Sequence, residues 1–241
     1  LLDTHEIVAG WDADIDRLLV EAVESRSSDQ LVELPAQLST TAVLRLHADP
    51  AGFVAQLARP MPRQPSRSAR FGTRFHHWLE RYFGARLPHG GPGQQQLLDL
   101  DELPDRADFG TNDEQELREL CDAFAAGRFG GTVPYAIEAP FSIWIGGRLI
   151  RGRIDAVYQR SSESRDTEFQ VVDWKTGRAE NADPLQLAIY RLAWAEAYGL
   201  QPSEIDAIFY HVPTDEIVRP KALPDRQAIA AILDAQVEPL P

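Results

Sequence analysis

Apolar positions along the first 34 residues recur at helical spacing. In "DADIDRLLVEAVES", Ile15, Leu18, Leu19, Ala22 and Val23 share one stripe, which predicts a packing or connecting helix with no chemistry of its own. "LPAQLSTTAVLRLHADPAGFVAQLARP" follows, in which Ser39 or Thr40 is suited to cap a helix that ends before Pro50. A second helix is expected from about Pro50 to Ala58. "MPRQPSRSA" is a proline-broken connector. Beyond it, "RFGTRFHHWLERYFGARL" sets Phe71, Phe75, Trp78, Leu79 and Tyr82 or Phe83 on one buried helical stripe. "PHGGPGQQQ" ends that helix in a loop, and an acidic helix covers roughly 112–126.

The period then changes from helical to strand-like. "YAIEAPFSIWIGGRLIRGRIDAVYQ" is two β-rich runs around Gly146 and Gly147, the signature of a hairpin. "SSESRDT" is a polar turn and "EFQVVDWK" a third strand. "DPLQLAIYRLAWAEAYGL" is a helix with Asp183 as cap, Pro184 in its first turn and Gly199 just past its end. "SEIDAIFYHV" gives a fourth strand and "PDRQAIAAILDAQV" a closing helix. A helix between strands three and four permits a parallel crossover, while hairpins keep the other neighbours antiparallel. The expected architecture is α/β, a mixed central sheet with helices on its faces, and residues 1–35 form an N-terminal helical extension to it.

Composition adds limits. A hydrophobic share of 44% with 25% charged residues is that of a globular protein. No run is long enough to span a membrane, and the start lacks the features of a signal peptide, so a cytoplasmic location is expected. The chain begins at Leu1 and its only methionine is Met61, which suggests a piece of something longer. Cys121 is the only cysteine, so an intramolecular disulfide, a zinc site rich in cysteine and a four-thiolate cluster are excluded. The net charge of -13 argues against attraction of nucleic acid by the overall field. Its distribution is uneven. Residues 59–86 hold seven arginines and one acid, Glu80, whereas 97–122 hold ten acids against Arg106 and Arg118. Either one face holds phosphate while the rest repels it, or a solvated basic helix lies beside a solvated acidic one.

Asp155 in "GRIDAVY" and Asp173 in "VVDWK" each follow β-branched residues, where a strand turns its side chains inward. On adjacent antiparallel strands the two carboxylates meet, and such a pair usually encloses a cation. Oxygen ligands without thiols suit Mg²⁺ or Mn²⁺. Lys175 leaves the same strand face as Asp173. It is either one partner of a surface ion pair or an ammonium that serves an attacking water. The chain has 22 arginines but only two lysines, Lys175 and Lys221, so a lysine here hints at a need for a titratable group. His76 and His77 diverge by about 100° around their helix, so one at most faces a given site. Glu80 lies one turn beyond His76 and is placed to share a metal or hydrogen bond with it. Gln186 and Tyr190 share a helix face and suit phosphate or sugar contacts, or else form a polar helix edge.

Taken in order, "GTRFHHWLE", "GRIDAV", "VVDWKTG" and "QLAIYRLAW" resemble the signature of RecB-type nucleases of the PD-(D/E)XK superfamily, whose core is restriction-endonuclease-like. The similarity covers roughly residues 36–241 and looks close to the nuclease domains of AdnB subunits of actinobacterial AdnAB helicase–nucleases. Its glycine-to-histidine spacing, Gly72 to His76, selects His76 over His77. The resemblance implies that His76, Asp155, Asp173 and the backbone carbonyl of Trp174 hold Mg²⁺ or Mn²⁺. Lys175 would serve the attacking water, and Gln186 with Tyr190 would orient site and DNA. Arg67, Arg70 and Arg74 are candidates for DNA contact, and Glu138 lies where the family often has an acid. Further implications are a single-stranded DNA substrate, a UvrD-like helicase motor on the same polypeptide, a second, AdnA-like subunit and a role in break resection; some relatives add an iron–sulfur cluster, but with Cys121 as the single cysteine no iron–sulfur cluster is expected here. A catalytically silent DNA- or subunit-binding module is the alternative.

Overall fold

A computed structural model describes residues 11, 14–20, 33–61, 66–84, 111–160, 168–177 and 182–234. Residues 14–20 are helical as expected, yet Ile15, Leu18 and Leu19 are each more than half exposed, so the described part of this stripe is not packed against a core. The loop at "PHGGPGQQQ" and the turn "SSESRDT" lie outside the described residues.

A three-residue strand β1 (Gln37–Ser39) leads into α1 (Thr40–Ala48), whose first turn is capped by the Ser39 hydroxyl accepting from the amide of Ala42. Asp49 caps α2 (Pro50–Ala58) in the same way. Next come α3 (Arg67–Gly84) and α4 (Thr111–Ala126). The hairpin of β2 (Ala136–Ile145) and β3 (Arg148–Gln159) turns through Gly146 and Gly147, both at positive φ, as a two-residue turn between right-twisted strands requires. Strand β4 (Phe169–Lys175) is followed by α5 (Pro184–Tyr198), which Asp183 caps and Gly199 ends in the left-handed region. Strands β5 (Ile205–His211) and β6 (Glu216–Val218) and helix α6 (Arg226–Asp234) complete the described chain.

The six strands form one mixed sheet. β3 is its hub, antiparallel to β2 on one edge and, on the other, parallel to β1 at Leu149–Arg151 and antiparallel to β4 at Ala156–Gln159. β4 and β5 are parallel through the α5 crossover. Helices α3 and α4 cover one sheet face, where Phe75, Leu79, Phe83 and Phe124 pack on Ala156, Tyr158, Val172, Trp174 and Tyr210. Helix α5 covers the other, through Leu187, Tyr190 and Trp194 against Ile154, Val157, Val171 and Phe209. Helices α1, α2 and α6 extend that second layer over Ile143, Ile145 and Ile150. Strands β1 and β6 are too short to show a period and are not expected from the sequence. Among the described residues no helix is long and apolar enough to cross a membrane.

The basic and acidic helices meet. Arg67 of α3 pairs with Asp113 and Glu116 of α4, and Arg74 pairs with Glu114. Of the two readings of the charge pattern, the structure places the acidic helix directly against the basic one.

Candidate active site

The site begins where a ladder ends. Ala156 and Val172 are the last paired residues of β3 and β4, so the next pair in register, Asp155 and Asp173, stands where the strands part. β4 continues on β5 alone, with Asp173 opposite Phe209 and Lys175 opposite His211. Parting frees a backbone donor, and Asp155 takes it: the amide of Trp174 donates to Asp155 Oδ2 at 2.9 Å. The indole of Trp174 anchors this strand end on the face covered by α3 and α4, buried against Phe83 and Phe124.

A second irregularity faces the first. Ile137 pairs with Ala156 and Ala139 with Ile154, leaving Glu138 opposite Asp155 with φ at 45°, a backbone conformation unusual for a glutamate. Residues two apart on a strand normally share a face. Here Ala156 packs under α3 while Ile154 packs under α5, and Ile137 and Ala139 divide in the same way. The pleat therefore slips by one residue on both strands at Glu138 and Asp155. That slip brings both acids to the helix α3 side.

His76 meets them there. Its Nδ1 lies 2.7 Å from Glu138 Oε1 and its Nε2 3.8 Å from Asp155 Oδ2. A carboxylate only accepts, so the Nδ1 proton belongs to the Glu138 bond, and Nε2 is the nitrogen aimed at the site. His77, the neighbour, points elsewhere and pairs with Glu80. Glu80 is therefore not the partner of His76 that its helical spacing suggests.

On the α5 side, Lys175 Nζ lies 2.8 Å from Asp173 Oδ2 and donates to Gln186 Oε1 at 2.9 Å. Gln186 Nε2 in turn donates to the Tyr190 hydroxyl at 3.0 Å. The relay Asp173–Lys175–Gln186–Tyr190 is continuous, which disposes of the exposed ion pair as a reading of Lys175. Both carboxylates are nearly inaccessible, Asp173 at 1% and Asp155 at 8%.

Burial dominates the electrostatics. It pushes Asp173 up to about 7, helped by the neighbouring Asp155 charge and opposed by Lys175 and His76. Asp155 is raised as well, by burial first and Glu138 next, against the field of His76. Burial alone would lower His76, but Asp155, Glu138 and Asp173 together outweigh it and hold the imidazole at about 10. Tyr190 is raised by burial and by the two aspartates. Carboxylates held above their ordinary range by desolvation are short of positive charge.

His76, Glu138 and Asp155 each bring a ligand atom within 4.8 Å of the others. With Asp173 across the parted strands, the donor set is carboxylate oxygen and one imidazole without thiolate. That set fits a hard divalent cation. The Trp174 contact seen is made by its amide; its carbonyl is the ligand that the sequence suggests.

The sequence matches the profile of the PD-(D/E)XK nuclease superfamily over residues 37–239. The chain belongs to this nuclease superfamily. PD-(D/E)XK nucleases use divalent metals, in keeping with the donor set. The fold agrees with a crystal structure of a candidate exonuclease from Eubacterium rectale at TM-score 0.51, covering 84% of this chain and 83% of that one at 11% identity. The "Gene 69 protein" of Mycobacterium phage D29 is 44% identical over 66 residues, a match that spans 27% of this chain and only 22% of the phage protein.

The structure brings together His76, Asp155, Asp173, Trp174, Lys175, Gln186 and Tyr190 in this nuclease and adds Glu138, to which the sequence reading gave no role. Arg67 and Arg74 lie on the same helix as His76 with the acids of α4 against them, and Arg70 is half-buried between them.

Proposed function

We propose that this chain is the divalent-metal-dependent nuclease module of an AdnB-like helicase–nuclease and hydrolyses phosphodiester bonds of single-stranded DNA. The observation that carries this reading is the convergence of His76, Asp155, Asp173 and Lys175 at the one place where β3 and β4 part. His76, Asp155 and Asp173 are the residues to hold Mg²⁺ or Mn²⁺, with the Trp174 carbonyl as a further ligand. When bound, the ion supplies Lewis acidity at the phosphoryl group and offsets its developing charge.

The protein's own groups do the rest. Glu138 fixes the tautomer and direction of His76. Gln186, held by Tyr190, and Asp173 orient the Lys175 ammonium, which positions the attacking water through a hydrogen bond. Water attacks phosphorus, the bond to the 3′ oxygen breaks, and a 5′-phosphate and a 3′-hydroxyl result. The same ammonium offsets negative charge on the phosphoryl oxygens.

Delivery by a UvrD-like motor on the same polypeptide, beside an AdnA-like second subunit, suits a chain of net charge -13, because a delivered strand needs little long-range attraction. Such a module serves double-strand break resection in recombinational repair.

The test is cleavage of a single-stranded oligonucleotide with Mg²⁺ or Mn²⁺ by the chain and by Asp173→Ala. Cleavage by the chain alone is expected. Equal rates for both proteins would overturn the site, and metal-dependent binding without cleavage by either would identify a silent module.

A further inference from the structure

We infer that the bare half of the β2–β3 hairpin is the track along which single-stranded DNA enters the site; the inference rests on the nuclease reading above. On the site side of the pleat slip, alternation is regular. Ala139, Ile143, Ile145, Ile150 and Ile154 are buried against the α5 layer, so Pro140, Ser142 and Trp144 of β2 and Leu149, Arg151 and Arg153 of β3 point to the other face. The contacts of α3 and α4 with the sheet lie beyond the slip, at Ala156, Tyr158, Val172 and Trp174. Pro140, Ser142, Trp144, Arg151 and Arg153 are exposed.

This surface has the two groups that hold a single strand without reading its sequence, guanidinium for phosphate and an aromatic face for a base. Arg153 and Arg151 stand two and four residues from Asp155 on the same side of β3, spaced about 7 Å apart along the strand. Ser142 pairs across from Arg151 and Pro140 from Arg153. Trp144, 60% exposed, opens the row opposite Leu149. Its backbone is fixed by Arg226, which donates to its carbonyl at 2.6 Å. From Trp144 to the site is six residues of strand, about 20 Å, or about six nucleotides at the stacked spacing of roughly 3.4 Å. In a chain of net charge -13, a row with two arginines that ends at the site is complementary to a polyanion.

The experiment compares the chain with Trp144→Ala and with the double variant Arg151→Gln/Arg153→Gln on oligonucleotides of about three and about twelve nucleotides. On the long substrate KM is expected to rise about tenfold for Trp144→Ala. For the double variant the salt slope of binding, measured in an Asp173→Asn background, should fall by about 1.4, the share of two phosphates on a single strand. On the short substrate Trp144→Ala should match the parent protein. Parallel losses on both lengths for Trp144→Ala, or unchanged KM and salt slope on the long one, overturn the track while leaving the nuclease reading intact. A parent protein that neither binds nor cleaves either oligonucleotide overturns both.

Discussion

The backbone amide of Trp174 donates to the carboxylate of Asp155, so one side chain repairs the break in the ladder and serves the site. Two substitutions separate these duties. Asparagine keeps an acceptor but loses the charge; alanine loses both and leaves a buried N–H unpaired. Asp155→Asn and Asp155→Ala should both abolish cleavage, and Asn should be the more stable by about 1–3 kcal/mol. Denaturant unfolding of the two proteins checks this, and equal stability would contradict it.

The titration of the site gives a pH dependence with a definite sign. Asp155 and Asp173 are raised by burial, so the proton is bound more tightly in the folded state, and the stability they contribute below their unfolded value near 4 is lost as pH rises, for Asp173 through about 7. His76, raised to about 10 against the pull of burial, loses its contribution only above its unfolded value near 6.5. Metal-free protein should therefore melt at a higher temperature at pH 5 than at pH 7.5. Because the ion competes with protons for the carboxylates, Mn²⁺ should raise the melting temperature more at pH 7.5 than at pH 5. A calorimetric scan at both pH values, with Mn²⁺ and with chelator, decides.

Lys175 sits between an aspartate and a glutamine that both fit a compact ammonium. Replacement by alanine should lower kcat by about 10²-fold or more while DNA binding persists. Arginine should not rescue it, because a planar guanidinium cannot occupy the same place between Asp173 and Gln186. Gln186→Ala, which frees the ammonium without removing it, should fall between the parent and Lys175→Ala. Single-turnover cleavage of a labelled strand ranks the series.

In the proposed site Glu138 would act on the metal through His76, which it contacts at 2.7 Å. Glu138→Ala should weaken Mn²⁺ binding about 10–100-fold. Glu138→Gln, which still accepts from Nδ1, should lose less. Isothermal titration with Mn²⁺ measures both, and equal losses would show that charge rather than the hydrogen bond matters.

Gly152 tests the packing behind the site. A Cβ at this position would meet Thr40 Oγ1 at 2.4 Å and Phe141 ring carbons at 2.9 Å. Gly152→Ala should cost about 1–3 kcal/mol by overpacking, read as a lower denaturant midpoint with an unchanged slope.

His76 was singled out over His77 only by the resemblance to RecB-type nucleases, whereas Asp173 with Lys175 and Gln186 with Tyr190 were legible as pairs because each depends on local periodicity, two residues on a strand or four on a helix. The hairpin, the crossover and the caps at Ser39 and Asp183 were legible for the same reason. Glu138 was not readable as the partner of His76, because its position depends on a positive φ and a slipped pleat. A signal existed: it is the one acid between Asp122 and Asp155, two residues before a proline in an apolar strand. The pairing of Arg67 and Arg74 with α4 is a tertiary contact, and β1 at three residues is shorter than any usable period.

No ladder hydrogen bond joins Asp155 to Asp173, although their strands are paired immediately beyond them. The gap between the two carboxylates is therefore set chiefly by the bond from the Trp174 amide to Asp155 rather than by a ladder pair. Small changes of strand splay can widen or narrow this jaw without breaking a β pair. In the proposed metal site such a jaw would take its calibre from the ion it closes on, so that Mg²⁺ and the slightly larger Mn²⁺ would be gripped by the same residues.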